Sequence, residues 1–295
     1  MKYIATFDLG GTDIKYGVID PKKQKLIYKN SFSTPNQEGG QVIVNSIIDK
    51  IHKLQETYSL EGVSISSAGV IDVNTGTVLN ATNTIPNFIG LKIKESIEKK
   101  TNLFTTVEND VNCFALAERN VHPELKNFVL ITLGTGIGGA IVIDGNVYRG
   151  SFFAGGEVGR VYVGNQPWEE TTSVKSLVNI ARSNSVLVNN GIELFDIYDK
   201  KSNPVVNFLV QQWFGRLAMG ISNLIYLFNP EMVAIGGAIS NRTSLIDELM
   251  PFLKGTCNPT FLSNTKIITA SFKNDGGLWG AFYHYQAIRT NKANT

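Results

Sequence analysis

The alternation of apolar and polar positions predicts strands and helices along the whole chain. Short apolar runs predict strands at 3–9, 14–19 and 25–32, which together form an antiparallel meander. Between residues 40 and 58 the apolar residues recur at helical spacing, so a helix follows the meander. The first half then continues with predicted strands over 62–66 and 105–108 and predicted helices over 87–100 and 110–118.

The second half shows the same alternation. Residues 208–228 have helical periodicity and stop at Asn229-Pro230, a dipeptide that ends a helix, and the apolar strand 232–236 follows. A last helix over 278–288 could cross back onto the first half. Alternating strands and helices predict an α/β fold. We expect two lobes, 1–118 and 119–295.

One short stretch occurs twice in the chain. Residues 7–20 align without a gap on residues 131–144, and each stretch is predicted to be a strand, a glycine corner and a return strand. The two corners are Gly10, Gly11 and Thr12, and Gly134, Thr135 and Gly136. Such corners can present backbone N–H groups to phosphate oxygens, although two ordinary hairpins would look alike. Their ungapped pairing favours a nucleotide held between two halves.

Composition limits the function classes. The chain has 295 residues, of which 43% are hydrophobic, so it can bury a core in each of two domains. Its 27 basic and 25 acidic residues leave a net charge of +2, which gives no domain-wide field for nucleic acid or a membrane surface. Two cysteines, Cys113 and Cys257, are too few for a disulfide framework. We expect a soluble cytoplasmic protein without a signal peptide or a membrane span.

Asp110 follows a predicted strand and stands where a helix should begin. An aspartate there could simply cap the helix by accepting first-turn N–H groups. It could also be the carboxylate that phosphoryl transfer to an alcohol requires, because such a group accepts the proton of the attacking hydroxyl. The residues alone leave both interpretations open.

Several motifs, taken in order, resemble the ROK family of sugar kinases and sugar-responsive repressors. They are Asp8-Leu-Gly-Gly-Thr, Glu108-Asn-Asp-Val-Asn, Leu133-Gly-Thr-Gly-Ile-Gly-Gly, Glu157-Val-Gly-Arg, Gly236-Gly-Ala and Gly276-Gly-Leu-Trp-Gly. The resemblance covers nearly the whole chain. It implies the two-lobed actin-like, ribonuclease-H-like ATPase fold with a duplicated mixed β-sheet core, ATP as the phosphate donor, a sugar as the acceptor and a homodimer.

The resemblance also implies residue roles. It makes Asp110 the catalytic base for the 6-hydroxyl of the sugar and assigns Asn109 to the orientation of neighbouring hydroxyls. Glu157 and Glu169 would accept hydrogen bonds from sugar hydroxyls, with Glu170 as the competitor for the second role. Arg160 stands where most relatives have a histidine, so a permanent cation with donors only replaces a neutral donor and acceptor at that end of the sugar.

Four further residues each have a functional and a structural interpretation. Asn83 and Asn87 are candidate sugar contacts, but loop asparagines more often form turns. Gly237 would lie near the adenosine, or it belongs to a tight strand-to-helix connection. Lys15 could reach a phosphate or be an ordinary solvated lysine.

Two metal predictions follow. Asp8 lies beside the first corner, and an acidic residue next to phosphates is expected to act through Mg²⁺ held partly through water, with a strand-end turn aspartate as the alternative. Most relatives hold zinc in a cysteine-rich loop, whereas the segment between Arg160 and Glu169 has neither cysteine nor histidine. We therefore predict no zinc, and expect Pro167 and Trp168 to pack the loop instead.

The sequence therefore predicts an ATP-dependent kinase for the 6-hydroxyl of a hexose, an N-acylhexosamine or a β-glucoside. The first alternative is a non-catalytic sugar-binding or sugar-sensing relative, which would carry no DNA-binding domain because the first corner begins at Asp8. An actin-like ATPase that acts on protein partners is less consistent with the carboxylates at Glu157 and Glu169.

Overall fold

The computed structural model describes residues 2–82 and 84–293 and divides into two compact units. Unit 1 comprises Met1–Val121, Arg149–Gly155 and Asp275–Thr295, and unit 2 comprises His122–Tyr148 and Gly156–Asn274. This division differs from a single boundary after residue 118, because two later segments group with unit 1. Asn83, one of the candidate sugar contacts, lies outside the described residues.

The elements follow the alternation that the sequence predicts. The strands are β1 (Tyr3–Leu9), β2 (Asp13–Asp20), β3 (Lys25–Ser33), β4 (Leu60–Ser67), β5 (Val70–Asp72), β6 (Thr77–Asn80), β7 (Phe104–Asn109), β8 (Phe128–Leu133), β9 (Ile137–Ile143), β10 (Asn146–Val147), β11 (Tyr162–Val163), β12 (Gln166–Pro167), β13 (Met232–Gly236) and β14 (Lys266–Thr269). The helices are α1 (Gly40–Thr57), α2 (Ile93–Thr101), α3 (Asp110–Val121), α4 (Trp168–Thr172), α5 (Val174–Ser183), α6 (Gly191–Asp199), α7 (Pro204–Phe228), α8 (Leu245–Thr256), α9 (Pro259–Leu262) and α10 (Gly276–Ala293).

The main sheet of unit 1 has the strand order β3-β2-β1-β4-β7. The first three strands form the predicted antiparallel meander, and β1, β4 and β7 run parallel. One face is apolar: Phe7, Ile65 and Val107 pack with the buried isoleucines of α1 and α2. This face supplies the hydrophobic core of the unit.

The opposite face of the same three strands is polar although it is buried. Two rows of side chains cross β1, β4 and β7 in register: Thr6, Ser64 and Thr106, and then Asp8, Ser66 and Glu108. Helix α10 packs on this face and on α3, and the hydroxyl of Ser64 donates to the carbonyl oxygen of Ala281 over 2.6 Å. Polar groups under a helix require such internal partners.

Unit 2 repeats the topology of unit 1. Its main sheet has the order β10-β9-β8-β13-β14, with β8, β9 and β10 antiparallel and β8, β13 and β14 parallel. Its core is built from buried side chains of β8, β13 and helices α5 to α8, including Trp213 and Leu217. The duplicated mixed sheets confirm the α/β prediction.

One predicted boundary is wrong. The helix expected over 87–100 begins only at Ile93, because Asn87 and Gly90 have positive φ values of 52° and 84°. These left-handed residues form turns, which a helix cannot include. The short β5–β6 hairpin before this helix was not predicted.

None of the helices within 2–82 and 84–293 combines the length and the hydrophobicity of a membrane-spanning segment.

Candidate active site

The carboxyl ends of β1, β4 and β7 bring the predicted functional residues of unit 1 to one edge of its sheet. In the register, Asp8 is opposite Ser66, and Ser66 is opposite Glu108. Asn109 is the last residue of β7, and Asp110 is the first residue of α3. Parallel strands feeding helices place such residues at one edge, where α/β proteins commonly bind ligands.

Asp110 is half-buried and held by local hydrogen bonds. Its Oδ1 accepts from the backbone N–H of Val111 over 2.9 Å and from Nδ2 of Asn109 over 3.0 Å. The capping role that the sequence left open falls mainly on Asn109, whose Oδ1 accepts from the N–H groups of Val111 and Asn112, both over 3.0 Å. Because Asn109 caps the helix, Asp110 is fixed at its first turn.

The amide of Asn109 is fully engaged. Its Nδ2 donates to the carbonyl of Gly69 over 2.9 Å as well as to Asp110, and its Oδ1 accepts two backbone N–H groups. An asparagine amide has two N–H donors and two acceptor positions, and all four are used here. A direct bond from Asn109 to a sugar hydroxyl would therefore have to replace one of these bonds.

The carboxylate of Asp8 lies in a polar but enclosed environment. Its Oδ1 accepts from the hydroxyl of Ser66 over 2.8 Å, and the ammonium group of Lys15 lies 3.8 Å from Oδ2. Burial raises the pKa of Asp8, and Ser66 and Lys15 oppose that rise. The predicted Lys15 is thus a neighbour of Asp8 on the adjacent strand.

Helix α10 approaches this edge through glycines. A Cβ atom at Gly277 would lie 2.3 Å from the carboxylate carbon of Asp8, and one at Gly280 would lie 1.6 Å from the carbonyl oxygen of Cys113 in α3. A Cβ atom at Gly276 would likewise lie 2.2 Å from the ring of Phe114. The motif Gly276-Gly-Leu-Trp-Gly therefore permits close backbone packing and places the N-terminus of α10 beside Asp8.

The first corner is exposed at Gly11 and Thr12. The N–H of Gly10 is used within the turn, where it approaches the carbonyl oxygens of Asp8 and Asp13 at 3.2 Å. A Cβ at Gly10 would lie 2.8 Å from the Asp13 carbonyl oxygen. Gly10 thus shapes the turn, and phosphate donors would have to come from the next two residues.

The second corner, in unit 2, has a similar arrangement. The N–H of Gly134 donates to the carbonyl of Gly136 over 3.1 Å, while Thr135 is exposed. The carbonyl of Gly134 accepts from the N–H of Lys175, in the first turn of α5, over 3.2 Å. Gly237 has a φ of 83°, and its Cβ would lie 2.5 Å from the carbonyl oxygen of Leu133, so it packs against the strand that leads into the corner.

Glu169 stands next to the second corner. A Cβ at Gly136 would lie 2.8 Å from Oε2 of Glu169, and Oε1 of Glu169 is 4.0 Å from the guanidinium group of Arg160. Glu169 is half-buried, whereas its competitor Glu170 is exposed. Of the two glutamates, Glu169 is the one that has Gly136 and Arg160 as neighbours.

Glu157 and Arg160 lie on a segment that follows β9 closely. A Cβ at Gly156 would lie 2.6 Å from the carbonyl oxygen of Gly139, and one at Gly159 would lie 2.2 Å from that of Ile137. The side chains of Glu157 and Arg160 are exposed. The glycines allow the segment to lie against the strand that begins directly after the second corner.

The loop before Glu169 is held by packing. Strands β11 and β12 form a small hairpin with Gly164 at φ 74°, and the backbone N–H of Trp168 donates to the carbonyl of Val161 over 2.8 Å. The indole of Trp168 is buried, and a Cβ at Gly220 would lie 2.0 Å from its ring. Within the described part of the chain no group of three or more His, Cys, Asp and Glu residues could hold a metal ion. The absence of zinc stays a prediction.

Sequence reasoning missed residues that surround Asp8 and Asp110. The position of Ser66 beside Asp8 follows from the register of β1 and β4. The alternation of residues along β4 could have indicated this position. Arg149 forms an ion pair with Glu108 across 41 positions of the chain, and no local signal predicts that pair. His284 lies 3.8 Å from the same carboxylate, on α10.

Comparisons with known proteins agree with these motifs. The model of the ROK family matches residues 4–288. A β-glucoside kinase of Listeria monocytogenes is 32% identical over 298 residues, covering 96% of this chain and 97% of the relative. An N-acetyl-D-glucosamine kinase of Aliivibrio salmonicida is 29% identical, covering 94% of this chain and 97% of the relative.

Solved structures give the same result. A candidate N-acetylmannosamine kinase from Listeria monocytogenes has a TM-score of 0.88 at 32% identity, covering 97% of this chain and 99% of its own. A glucokinase from Streptomyces griseus, solved with glucose and AMPPNP, has a TM-score of 0.78 at 26% identity, covering 95% of this chain and 97% of its own. The likeness therefore extends over nearly the whole length of both proteins.

Proposed function

This chain belongs to the ROK family and is an ATP-dependent sugar kinase, and we propose that it transfers the γ-phosphate to the 6-hydroxyl of a hexose, an N-acylhexosamine or a β-glucoside. The solved relatives confirm the actin-like ATPase fold expected from the motifs. The names of the relatives differ in their sugar, so the proposal is limited to these three classes.

The observation that supports the proposal best is the placement of Asp110. It is half-buried at the carboxyl end of β7, with one carboxylate oxygen fixed by Val111 and Asn109. We assign to Asp110 the role of general base, which accepts the proton of the 6-hydroxyl as that oxygen attacks phosphorus. A carboxylate held in one orientation needs little rearrangement at the moment of reaction.

We assign Asn109 to the positioning of Asp110. Its four hydrogen bonds stay within unit 1, and one of them joins the carboxylate directly. The orientation of sugar hydroxyls by Asn109, which the resemblance implies, stays a proposal and would require one of these four bonds to be exchanged for a bond to the sugar.

The two corners are proposed to bind phosphate groups through backbone N–H groups and threonine hydroxyls. At the first corner the donors would be those of Gly11 and Thr12, because the N–H of Gly10 is engaged within the turn. At the second corner the donors would come from Thr135 and Gly136, next to the first turn of α5. The partial positive charge of a helix N-terminus favours such anions.

Asp8 fits a role beside Mg²⁺. An ionised carboxylate costs free energy in an enclosed position, and the raised pKa of Asp8 reflects that cost, which a cation would offset. We propose that Asp8 holds the ion through water. Bound Mg²⁺ would neutralise charge on the phosphates.

The sugar is proposed to contact Glu157, Arg160 and Glu169 in unit 2. Carboxylates accept hydrogen bonds from adjacent hydroxyls, whereas the guanidinium of Arg160 can only donate. The guanidinium lies 4.0 Å from Glu169, so it can also orient that carboxylate. Arg160 would therefore favour sugars that offer an acceptor oxygen at this position.

The test is an ADP-release assay with ATP, Mg²⁺ and a panel containing glucose, N-acetylglucosamine, N-acetylmannosamine and a β-glucoside. The wild type should turn over at least one of these sugars. Asp110→Asn should lower kcat by about 10²- to 10⁴-fold because proton acceptance is lost. The sugar should still raise the melting temperature of this variant.

A matched control is Asp247→Asn, which changes an exposed aspartate in the first turn of α8 and should leave kcat unchanged. A near-normal rate in Asp110→Asn would remove Asp110 from the mechanism. Sugar binding without any ADP release by the wild type would instead favour a non-catalytic sugar-binding protein. We also propose a homodimer, which light scattering can test.

A further inference from the structure

The carboxylate of Glu108 is a buried centre of hydrogen bonds two residues before the proposed catalytic base. Glu108 is only 1% exposed. Its Oε1 accepts from the backbone N–H of Asn109 over 2.8 Å and from Nδ2 of Asn112 over 3.1 Å. These two partners lie on either side of Asp110 in the sequence, so Glu108 holds the chain before and after the base.

Arg149 neutralises this carboxylate. Its Nε donates to Oε2 of Glu108 over 2.7 Å, and a terminal nitrogen lies 2.5 Å from the same oxygen. His284 lies 3.8 Å away, but burial lowers the pKa of its imidazole more than Glu108 raises it, so His284 is neutral near pH 7. Arg149 is thus the permanent positive charge beside Glu108.

A buried carboxylate that loses its charged partner is strongly disfavoured. Glu108 would then move out of its present position, and that shift would weaken its hold on the N–H of Asn109 and on the amide of Asn112. Because Asn109 caps α3 and donates to Asp110, a shift at Glu108 would reach the carboxylate of Asp110.

We propose that Arg149 is a positioning residue that acts through Glu108 on Asn109 and Asp110. The path is a chain of direct contacts: Arg149 to Glu108, Glu108 to Asn109, and Asn109 to Asp110. This proposal rests on the function proposed above for Asp110. It adds a residue from the segment Arg149–Gly155, which none of the catalytic motifs includes.

A purely structural role for Arg149 makes a different prediction. The segment is closed by a hydrogen bond from the N–H of Gly155 to the carbonyl of Arg149 over 2.9 Å, and the ion pair could simply anchor it to unit 1. Loss of an anchor would lower the melting temperature and leave the rate of the folded enzyme unchanged. Loss of positioning would lower kcat, even well below the melting temperature.

The kinetic test compares Arg149→Ala, Arg149→Lys and the wild type with saturating ATP and sugar. We expect Arg149→Ala to lower kcat by about 10- to 100-fold, because a shift of the base by about 1 Å has effects of this size. KM for sugar and ATP should stay within about threefold of the wild type. Arg149→Lys should recover part of the lost rate, because it keeps the charge but not the planar donor set.

The matched control is Arg242→Ala. Arg242 also joins carboxylates, with 2.9 Å to Oδ2 of Asp199 and 2.6 Å to Oε2 of Glu248, but it belongs to unit 2. Its removal should lower the melting temperature with kcat within about twofold of the wild type. If Arg149→Ala behaves in the same way, the positioning role is wrong.

A second measurement needs no kinase activity. Peptide-resolved hydrogen exchange should show faster exchange at the amides of residues 109–112 in Arg149→Ala than in the wild type or in Arg242→Ala. Unchanged exchange there would overturn the proposal. A wild type that phosphorylates no sugar would refute the proposed function, and this exchange result would still decide whether Arg149 fixes the segment around Asp110.

Discussion

At the scale of single residues, the hydrogen bonds around Asp110 explain why one aspartate can be both a helix-start residue and a candidate base. Asn109 supplies the cap, with its Oδ1 accepting two N–H groups of the first turn. Asp110 can therefore use its carboxylate for chemistry without loss of the helix start. The sequence suggested both roles for Asp110, and the structure gives most of the capping to its neighbour.

His284 should make the fold sensitive to acid. Burial lowers the pKa of His284, with Glu108 opposing and Arg149 and Lys94 supporting that shift. Below about pH 6.5 an unfolded histidine takes up a proton, whereas the buried one does so only at lower pH. The free energy of unfolding should therefore decrease as the pH is lowered below about 6.5. His284 alone should contribute up to about 1.4 kcal/mol per pH unit to this decrease.

Urea unfolding between pH 7 and pH 5 measures this effect. His284→Asn should show a shallower loss of stability than the wild type over that range. His52→Asn, which changes an exposed histidine of α1, should keep the slope of the wild type. Equal slopes for the wild type and His284→Asn would show that His284 does not contribute.

The strand-to-helix junction that carries Asp110 could be predicted from the sequence, but the surroundings of Asp110 could not. A strand, two polar residues and an amphipathic helix stand next to one another in the chain, so their junction is visible locally. Glu108 and Arg149 are 41 positions apart, and Glu108 and His284 are farther apart still. Only the packing of α10 and the segment 149–155 in unit 1 brings them together.

At the scale of elements, the glycines of α10 determine how closely that helix packs on α3. Gly280→Ala would place a methyl group 1.6 Å from the carbonyl oxygen of Cys113, so the two helices must separate. We expect a loss of about 1–3 kcal/mol or more in the free energy of unfolding. Because α3 begins at Asp110, kcat should fall as well.

The control for Gly280→Ala is a helix glycine that has room for a Cβ atom. Gly255 lies in α8, and a Cβ there would have no heavy atom within 4 Å. Gly255→Ala should be neutral or raise stability by up to about 1 kcal/mol through helix propensity. Equal effects of the two alanines would show that close packing at Gly280 is unimportant.

Trp168 holds the segment that leads into Glu169. Its indole is 1% exposed and lies against Gly220 of α7. Trp168→Ala should cost about 3–5 kcal/mol of unfolding free energy, as for other large buried aromatics. The KM for sugar should also rise, because α4 begins at Trp168 and carries Glu169.

Chemical denaturation and sugar titrations of Trp168→Ala measure both effects. Trp279→Ala, on a helix of unit 1, is the comparison: it should lower stability without a specific rise in the KM for sugar. Zinc added to either variant should restore nothing. Recovery with zinc would contradict the prediction that packing alone fixes the loop.

Element boundaries were predicted well where apolar periodicity continues up to a turn signal, as at the end of α7. They were predicted poorly near α2, where Asn87 and Gly90 adopt left-handed backbone conformations. Asparagine and glycine are common turn residues, but the apolar spacing around them also fits a helix, so the predicted helix was extended across both. The glycines of α10 were recognised as a motif, but their function in packing depends on α3 and β1.

At the scale of the whole molecule, the internal repeat predicted from residues 7–20 and 131–144 extends to entire sheets. Both main sheets have an antiparallel meander followed by two parallel strands, in the same order. The units differ in what lies on the sheet. Unit 1 has a polar face under α10, whereas the sheet of unit 2 contributes to a larger apolar core with the aromatic residues of α7.

Each unit has its own hydrophobic core, and this makes local stability testable. Leu217 belongs to the core of unit 2 and Ile47 to that of unit 1, and both are 0% exposed. Either residue changed to alanine should cost about 2–5 kcal/mol. Because the cores are separate clusters, hydrogen exchange should accelerate mainly in the altered unit. Leu217→Ala should affect peptides from 122–148 and 156–274, and Ile47→Ala those from 2–121. Uniform acceleration across both sets by either variant would mean that the chain opens as one cooperative body despite its two cores.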